Sequence, residues 1–124
     1  MDKKRIITIC SSFIIIIILL IFTFNKINMV KIYNIIDKKT LYRTTQIISS
    51  NNSMIDAKFM LEDMNKSKYK KYYKNINLES ANYYTFLDEN NNILFRYIDT
   101  NYNKIVGFEI NGQVYYYIKK GVLN

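Results

Sequence analysis

The sequence has no histidine, proline or tryptophan, and only one cysteine and three glycines in its 124 residues. Without histidine, Ser-His and Cys-His catalytic pairs and histidine-bound zinc sites are excluded. With so few glycines, a Gly-rich phosphate-binding loop is excluded as well. The cysteine, Cys10, lies within an apolar run, so we expect no disulfide framework. We therefore predict that the protein is not an enzyme and that it uses no metal and no cofactor.

A run of 19 residues from Ile6 to Phe24 is almost entirely apolar, with Arg5 and Lys26 as its charged limits. As a helix that rises ~1.5 Å per residue, this run spans about 28 Å, close to the ~30 Å hydrocarbon core of a bilayer. The residues after Thr23 offer no pair of small side chains for signal cleavage. We predict that residues 1–24 form a basic n-region and a retained transmembrane signal anchor, with residues 6–24 in the lipid bilayer.

Positive charges flank the apolar run on both sides in nearly equal number. Lys3, Lys4 and Arg5 precede it, whereas four lysines follow it within about 15 residues. The short N-terminal tail favours the orientation of a signal anchor. We therefore predict a single-pass protein of the cell membrane whose C-terminal domain lies outside the cytoplasm.

Four residue types dominate the composition: Asn, Ile, Lys and Tyr make up 65 of the 124 residues. Their codons are rich in A and T, which indicates a bacterium with a low-GC genome. Part of the net charge of +8 follows from this bias. We expect no nucleic-acid partner.

Beyond the anchor, the chain has enough residues for one small domain. We predict a stalk over residues 25–52, which a loose apolar stripe indicates is helical, although its VKIYNII stretch also has the pattern of a short strand. Residues 53–124 are predicted to form a small α+β domain. Its helix is expected to begin with a Ser53/Asp56 capping box and to end at Asn65-Lys66-Ser67.

From Tyr83 onward, the apolar period changes to two, which is typical of strands. We predict four strands, at Tyr83–Leu87, Ile93–Ile98, Lys104–Ile110 and Gln113–Lys119. Asn111-Gly112 predicts a type I′ hairpin that pairs Gly107 with Tyr116. The predicted fold class is α+β, with an N-terminal transmembrane helix and then a helix packed on a four-stranded antiparallel meander.

Both faces of the last predicted hairpin are apolar, whereas one amphipathic helix covers only one face of a sheet. We predict that the other face binds a protein partner or a second copy, because an exposed apolar patch usually marks an interface. The alternative is that the stalk residues Met29–Ile48 fold back and cover that face.

The segment 66–74 alternates between lysine and tyrosine. If it is helical, its tyrosines form one stripe and its lysines take the other faces, a surface typical of proteins that bind anionic lipid or another polyanion. The alternative interpretation is a helix whose tyrosines pack on the sheet while its lysines lie in solvent. The candidate partner or polyanion surface consists of Lys68, Tyr69, Lys70, Lys71, Tyr72, Lys74, Tyr115 and Tyr117.

The stretch Asp88–Asn92 matches the first half of a calcium-binding loop, D-x-[DN]-x-[DN]. Ile93 stands where such a loop needs glycine, so we interpret the stretch as a hairpin turn rich in Asp and Asn.

The order of elements, an apolar helix, a helical stalk and an antiparallel meander, resembles the layout of type IV minor pilins. Arg5-Ile6-Ile7-Thr8-Ile9-Cys10 carries neither the glycine nor the glutamate of that family's processing motif. The resemblance implies a minor-pilin-like envelope component. The residues themselves indicate a membrane-anchored, non-enzymatic interaction or accessory protein of the cell envelope, with polyanion or lipid-surface binding through segment 66–74 as an alternative.

Overall fold

The structure is a computed structural model that describes residues 2–27 and 29–121. Residue 28 of the predicted stalk and residues 122–124 of the predicted domain lie outside the described residues. The N-terminal helix, α1, runs from Lys3 to Ile27. Its segment Lys3–Ile21 is long and apolar enough to cross a membrane, and none of that segment is buried in the protein. The helix is compatible with a single-pass anchor or with a signal peptide.

The rest of the described chain folds into strands and short helices. Along the chain these are β1 (Met29–Lys31), a 3-10 turn (Ile32–Asn34), α2 (Lys38–Tyr42), β2 (Gln46–Ser49), β3 (Met54–Ile55), α3 (Ala57–Lys66), β4 (Lys68–Tyr72), β5 (Asn82–Leu87), β6 (Ile93–Asp99), β7 (Ile105–Ile110) and β8 (Gln113–Lys120). Within the described residues, the eight strands form one antiparallel sheet in the order β1-β4-β8-β7-β6-β5-β2-β3. The fold is therefore α+β, but the predicted sheet of only four strands is wrong.

The hairpin between β7 and β8 has the predicted turn and register. Asn111 has a φ of 52° and Gly112 a φ of 82°, the left-handed backbone that a type I′ turn requires. Gly107 pairs with Tyr116. A Cβ atom on Gly107 would lie 3.3 Å from Cβ of Ile98 and 3.4 Å from Cδ1 of Tyr116. The tyrosine ring and the isoleucine therefore occupy the space that the missing side chain leaves.

The predicted helical stalk is wrong, because most of this segment joins the sheet or its core. Ile47 of β2 lies between Phe86 of β5 and Ile55 of β3 in the sheet. Only five residues, those of α2, form an α-helix between β1 and β2. The predicted boundary at residues 52 and 53 passes through a single hydrophobic core, to which both sides contribute.

Helix α3 begins later than the sequence predicts. Oδ1 of Asp56 accepts a hydrogen bond from the backbone N–H of Phe59 at 3.2 Å, so Asp56 is the N-cap. The predicted start at Ser53 is wrong, since Met54 lies in β3, opposite Ile48. The predicted end is correct: α3 ends at Lys66, and the backbone N–H of Ser67 bonds the Asp63 carbonyl.

The sheet has one side that packs against α3, here called the helical face, and an opposite side, called the second face. The buried core lies on the helical face, where strand residues meet the short helices. Its members are Ile32, Ile36, Leu41, Ile47, Met64, Tyr69, Phe86, Phe95, Tyr97, Val106 and Phe108. The predicted cover of the second face by residues Met29–Ile48 is wrong, because most of their apolar side chains fill this core instead.

Part of the second face is nevertheless covered. Ile98 points to that face and has no exposed surface. Strands β4 and β5 run in the same direction, so the connection 73–81 crosses the sheet from β4 to β5. The connection from β3 to β4 through α3 crosses the sheet in the opposite direction. Crossovers between strands that run in the same direction are right-handed. Two such crossovers that run across the sheet in opposite directions therefore lie on opposite faces. Because α3 lies on the helical face, residues 73–81 lie over the second face.

Candidate functional site

Strand β4 carries most of the predicted binding residues, and its extended backbone separates them. In a strand, successive side chains point to opposite faces, so the predicted helical stripe of tyrosines is wrong. Tyr69 and Lys71 point to the helical face, whereas Lys68, Lys70 and Tyr72 point to the second face. Lys74 follows the strand and is exposed.

Tyr69 is a core residue and is not available to a partner. Its side chain has no exposed surface. Its ring makes edge-to-face contacts with the rings of Phe108 and Tyr117, at centroid distances of 5.6 Å and 6.4 Å. Burial raises the pKa of Tyr69, and its hydroxyl donates to the Met64 carbonyl at 3.4 Å. Tyr69 therefore holds α3 against β4.

The two predicted residues of β8 also differ in role. Tyr117 is half-buried on the helical face, where it packs on Phe108 at 5.8 Å between ring centroids, and burial raises its pKa. Tyr115 is 36% exposed, and its hydroxyl donates to Oε1 of Gln113 at 2.6 Å. Of this pair, only Tyr115 remains a surface residue.

The second face carries a basic surface that the register of three strands assembles. Lys68 of β4 lies directly opposite Lys31 of β1 on one side and Lys120 of β8 on the other. Directly opposed residues point to the same face, so the three lysines form a row across the strands. Lys70, two residues along β4, points to the same face. We call Lys31, Lys68, Lys70 and Lys120 the lysine patch.

The lysine patch includes a small concavity and has no acidic partner in the described part of the chain. Met29, Lys68, Lys120 and Gly121 line a depression of about 280 Å³. The ion pairs among described residues are Arg43–Asp88, Arg96–Glu109 and Lys119–Asp63, and none of them uses a patch lysine. The patch therefore presents uncompensated positive charge beside one apolar side chain.

Lys31 and Lys120 are functional candidates that sequence reasoning missed. They stand 37 and 52 residues from Lys68 along the chain, so the spacing of residues gives no sign that they meet. The available signal was the strand-like alternation of the 66–74 segment. If that segment is assigned as a strand, its lysines alternate with Tyr69, and a basic second face follows.

A second concave region lies on the helical side of the sheet, between α3 and the segment that holds the 3-10 turn and α2. This groove has a volume of about 400 Å³. Its inner wall is formed by Ile32, Leu41, Ala57, Leu61 and Met64. From the sequence, these residues were predicted to lie in a stalk and on a helix face, so the groove was not predicted.

The stretch that resembles half a calcium loop is a hydrogen-bonded turn. Oδ1 of Asp88 accepts from the backbone N–H groups of Asn90 and Asn92, each at 2.9 Å. Oδ2 accepts from Nδ2 of Asn92 at 3.3 Å and from the Arg43 guanidinium at 3.2 Å. The carboxylate is thus engaged in stabilising the turn. No group of three or more His, Cys, Asp or Glu suited to a metal occurs among the described residues.

The fold and the two surfaces define an α+β module with an N-terminal apolar helix, a basic patch and an apolar groove. Comparisons with protein-family models, curated proteins and solved structures find no match to this chain. The resemblance in layout to minor pilins therefore stays a prediction.

Proposed function

We propose that this protein is a single-pass, membrane-anchored, non-enzymatic binding protein of the cell envelope, and that its lysine patch binds anionic lipid headgroups. The observation that carries this proposal is the row of Lys31, Lys68 and Lys120, with Lys70 beside it. The apolar helix α1 holds the sheet at the bilayer, and the patch turns the basic side of the sheet towards the membrane surface.

Chain connectivity supports contact between the patch and the membrane that holds α1. Lys31 follows the end of α1 at Ile27 by four residues, which span at most about 14 Å when fully extended. Lys68 and Lys120 lie on the next two strands, each ~4.8 Å further away. All of the row therefore lies within about 25 Å of the end of the helix.

Electrostatics supports an anionic partner. Like charges that face each other on neighbouring strands repel, and the row places three lysines in this arrangement. Anionic headgroups relieve that repulsion, and each lysine near an anionic leaflet contributes roughly 1 kcal/mol. The apolar Met29 side chain in the same depression suits the boundary between headgroups and acyl chains.

The proposal includes a retained anchor and a domain outside the cytoplasm. Retention is supported by the lack of paired small residues after Thr23, and the orientation is the one predicted from the flanking charges. A protein partner on the second face has less support, because Ile98 at the centre of that face is already fully buried.

The proposal is tested by labelling lysine amines in the full chain, reconstituted in nanodiscs of neutral phosphatidylcholine or of a mixture with anionic phosphatidylglycerol. Mass spectrometry reads the extent of labelling at each lysine. In anionic discs, we expect the labelling rates of the four patch lysines to fall roughly threefold, because headgroup contacts shield them. High salt should remove this protection, since it screens exposed charges.

Lys39, Lys66 and Lys71 are the internal controls, because they are exposed and belong to the helices or to the helical face. A general effect of surface potential slows the control lysines as well, whereas headgroup binding slows the patch selectively. Equal labelling rates for patch and control lysines in anionic discs would contradict the proposal.

A further inference from the structure

The groove beside α3 is apolar inside and charged at its rim. Ile32, Leu41 and Met64 are buried in its inner wall. At the rim, Lys58 and Glu62 of α3 are exposed to solvent. This arrangement is typical of sites for small molecules, which combine an apolar lining with a few polar groups that fix orientation.

The size of the groove limits what it can hold. Its volume of about 400 Å³ lies in the range of ligand pockets. At ~30 Å³ for a water-sized group, the space accommodates a chain of about ten to thirteen such groups. A linear aliphatic chain of that length matches both the volume and the apolar inner wall.

The groove also contains a polar group without a partner. The Thr44 hydroxyl is buried, lines this groove and has no hydrogen-bond partner among the described residues. An unsatisfied buried hydroxyl costs free energy. A change of the χ1 rotamer at Thr44 moves its hydroxyl to another staggered position, which would let the hydroxyl meet a polar atom of a ligand.

The charges at one end of the groove favour an anionic head on such a ligand. The Lys38 ammonium lies 5.5 Å from the ring centre of Tyr33 and 5.6 Å from that of Tyr42, and both rings line the groove. Lys58 and Glu62 line the groove itself, and Lys38 adds a positive charge beside the two lining rings.

From these observations we infer that the groove binds an amphiphile with a linear acyl chain and an anionic head, the class to which fatty acids belong. The acyl chain lies between α3 and α2, against Leu41 and Leu61. The head lies at the rim, within reach of Lys58 and Lys38. This inference does not depend on the lysine patch, which lies on the opposite face of the sheet.

The test uses the full chain in neutral phosphatidylcholine nanodiscs, which avoid detergent in the groove. Binding of radiolabelled decanoate is measured by equilibrium dialysis against empty discs. We expect one saturable site above the background of the empty discs. Ala57→Phe places a ring in the groove and should weaken binding at least tenfold. Met54→Phe is the matched control, because Met54 is exposed on β3 and does not line the groove.

A second pair of measurements tests the head. Lys58→Gln should weaken decanoate binding about threefold and leave decanol binding unchanged, since only decanoate carries a charge at neutral pH. Circular dichroism verifies that each variant is folded. If Ala57→Phe does not fold, the Lys58→Gln measurement alone tests the inference.

Three results would overturn the inference: uptake no greater than that of empty discs, decanoate binding that Ala57→Phe leaves intact, or a Lys58→Gln variant that binds decanoate like the wild type. None of these results bears on the lysine patch, which the labelling experiment tests separately, so failure of this inference is distinguishable from failure of the proposed function.

Discussion

Asp88 shows how much one side chain contributes to the turn between β5 and β6. Its carboxylate is almost fully buried and accepts four hydrogen bonds, one of them from the exposed Arg43 guanidinium. The backbone N–H of Asn92 is the main cause of a lowered pKa at Asp88, and burial opposes it. The folded state therefore stabilises the ionised form of Asp88 relative to the unfolded state.

This shift predicts a dependence of stability on pH. A carboxylate whose pKa is lowered by folding stabilises the protein above the ordinary aspartate pKa of about 3.9, and the stabilisation is lost as the pH falls through the folded value. Asp88→Asn should therefore lower the melting temperature more at pH 7 than at pH 3. Thermal unfolding in nanodiscs, followed by circular dichroism, measures both.

Glu89→Gln is the control for this substitution, because Glu89 is the adjacent acid and is exposed. It should leave the melting temperature close to that of the wild type at both pH values. A difference between Asp88→Asn and the wild type that is equally large at pH 3 and pH 7 would refute the assignment of the stabilising charge to Asp88.

At the scale of elements, local signals predicted structure well where the partner residues are close in sequence. Asn111-Gly112 fixed the turn of the β7–β8 hairpin, and the register followed from the turn alone. The β4 strand was missed because its partners are β1 and β8, far away in the chain, and the strand preference of tyrosine is offset by the helix preference of lysine.

The start of α3 shows the same limit at a helix end. Ser53 and Asp56 both have side chains suited to an N-cap, and the capping-box spacing made Ser53 the first choice. Pairing of β3 with β2 holds Met54 and Ile55 in an extended conformation, so the cap moves to Asp56. Tertiary pairing therefore decided between two local signals of similar strength.

Substitution of the two candidate N-cap residues, Asp56 and Ser53, should change stability by different amounts. Asp56→Ala should lower the free energy of unfolding by about 1 kcal/mol, because it removes the hydrogen bond that the Phe59 N–H donates to the Asp56 carboxylate. Ser53→Ala should change it by a few tenths at most. Chemical denaturation of both variants measures the difference, and a larger loss from Ser53→Ala would restore the capping box.

At the scale of the whole molecule, the sequence predicted the class of fold and part of the candidate site. The apolar helix and the helix-on-sheet layout follow from periodicity. Lys68 and Lys70 were named from composition, but the patch exists only because β4 lies between β1 and β8. The groove required the packing of the 3-10 turn against α3, and no local pattern of residues encodes that contact.

The position of residues 29–49 in the core predicts where the chain can be cut. This segment supplies two strands, with Ile32, Ile36, Leu41 and Ile47 buried against the rest of the sheet. Loss of one large aliphatic side chain from a core costs about 2–5 kcal/mol, and a typical domain is stable by only about 5–15 kcal/mol. A fragment that begins at residue 50 therefore cannot reach a stable fold.

We expect a fragment of residues 25–124 to be monomeric and to melt cooperatively, and a fragment of residues 50–124 to aggregate or to bind a hydrophobic dye. Removal of residues 2–24 leaves the core intact, because Lys3–Ile21 has no buried surface in the protein. The longer fragment thus controls for loss of the apolar helix. Light scattering and dye fluorescence measure both fragments. A cooperative, dye-silent melt of residues 50–124 would show that the core closes without β1 and β2, and that residues 25–52 form a separate stalk after all.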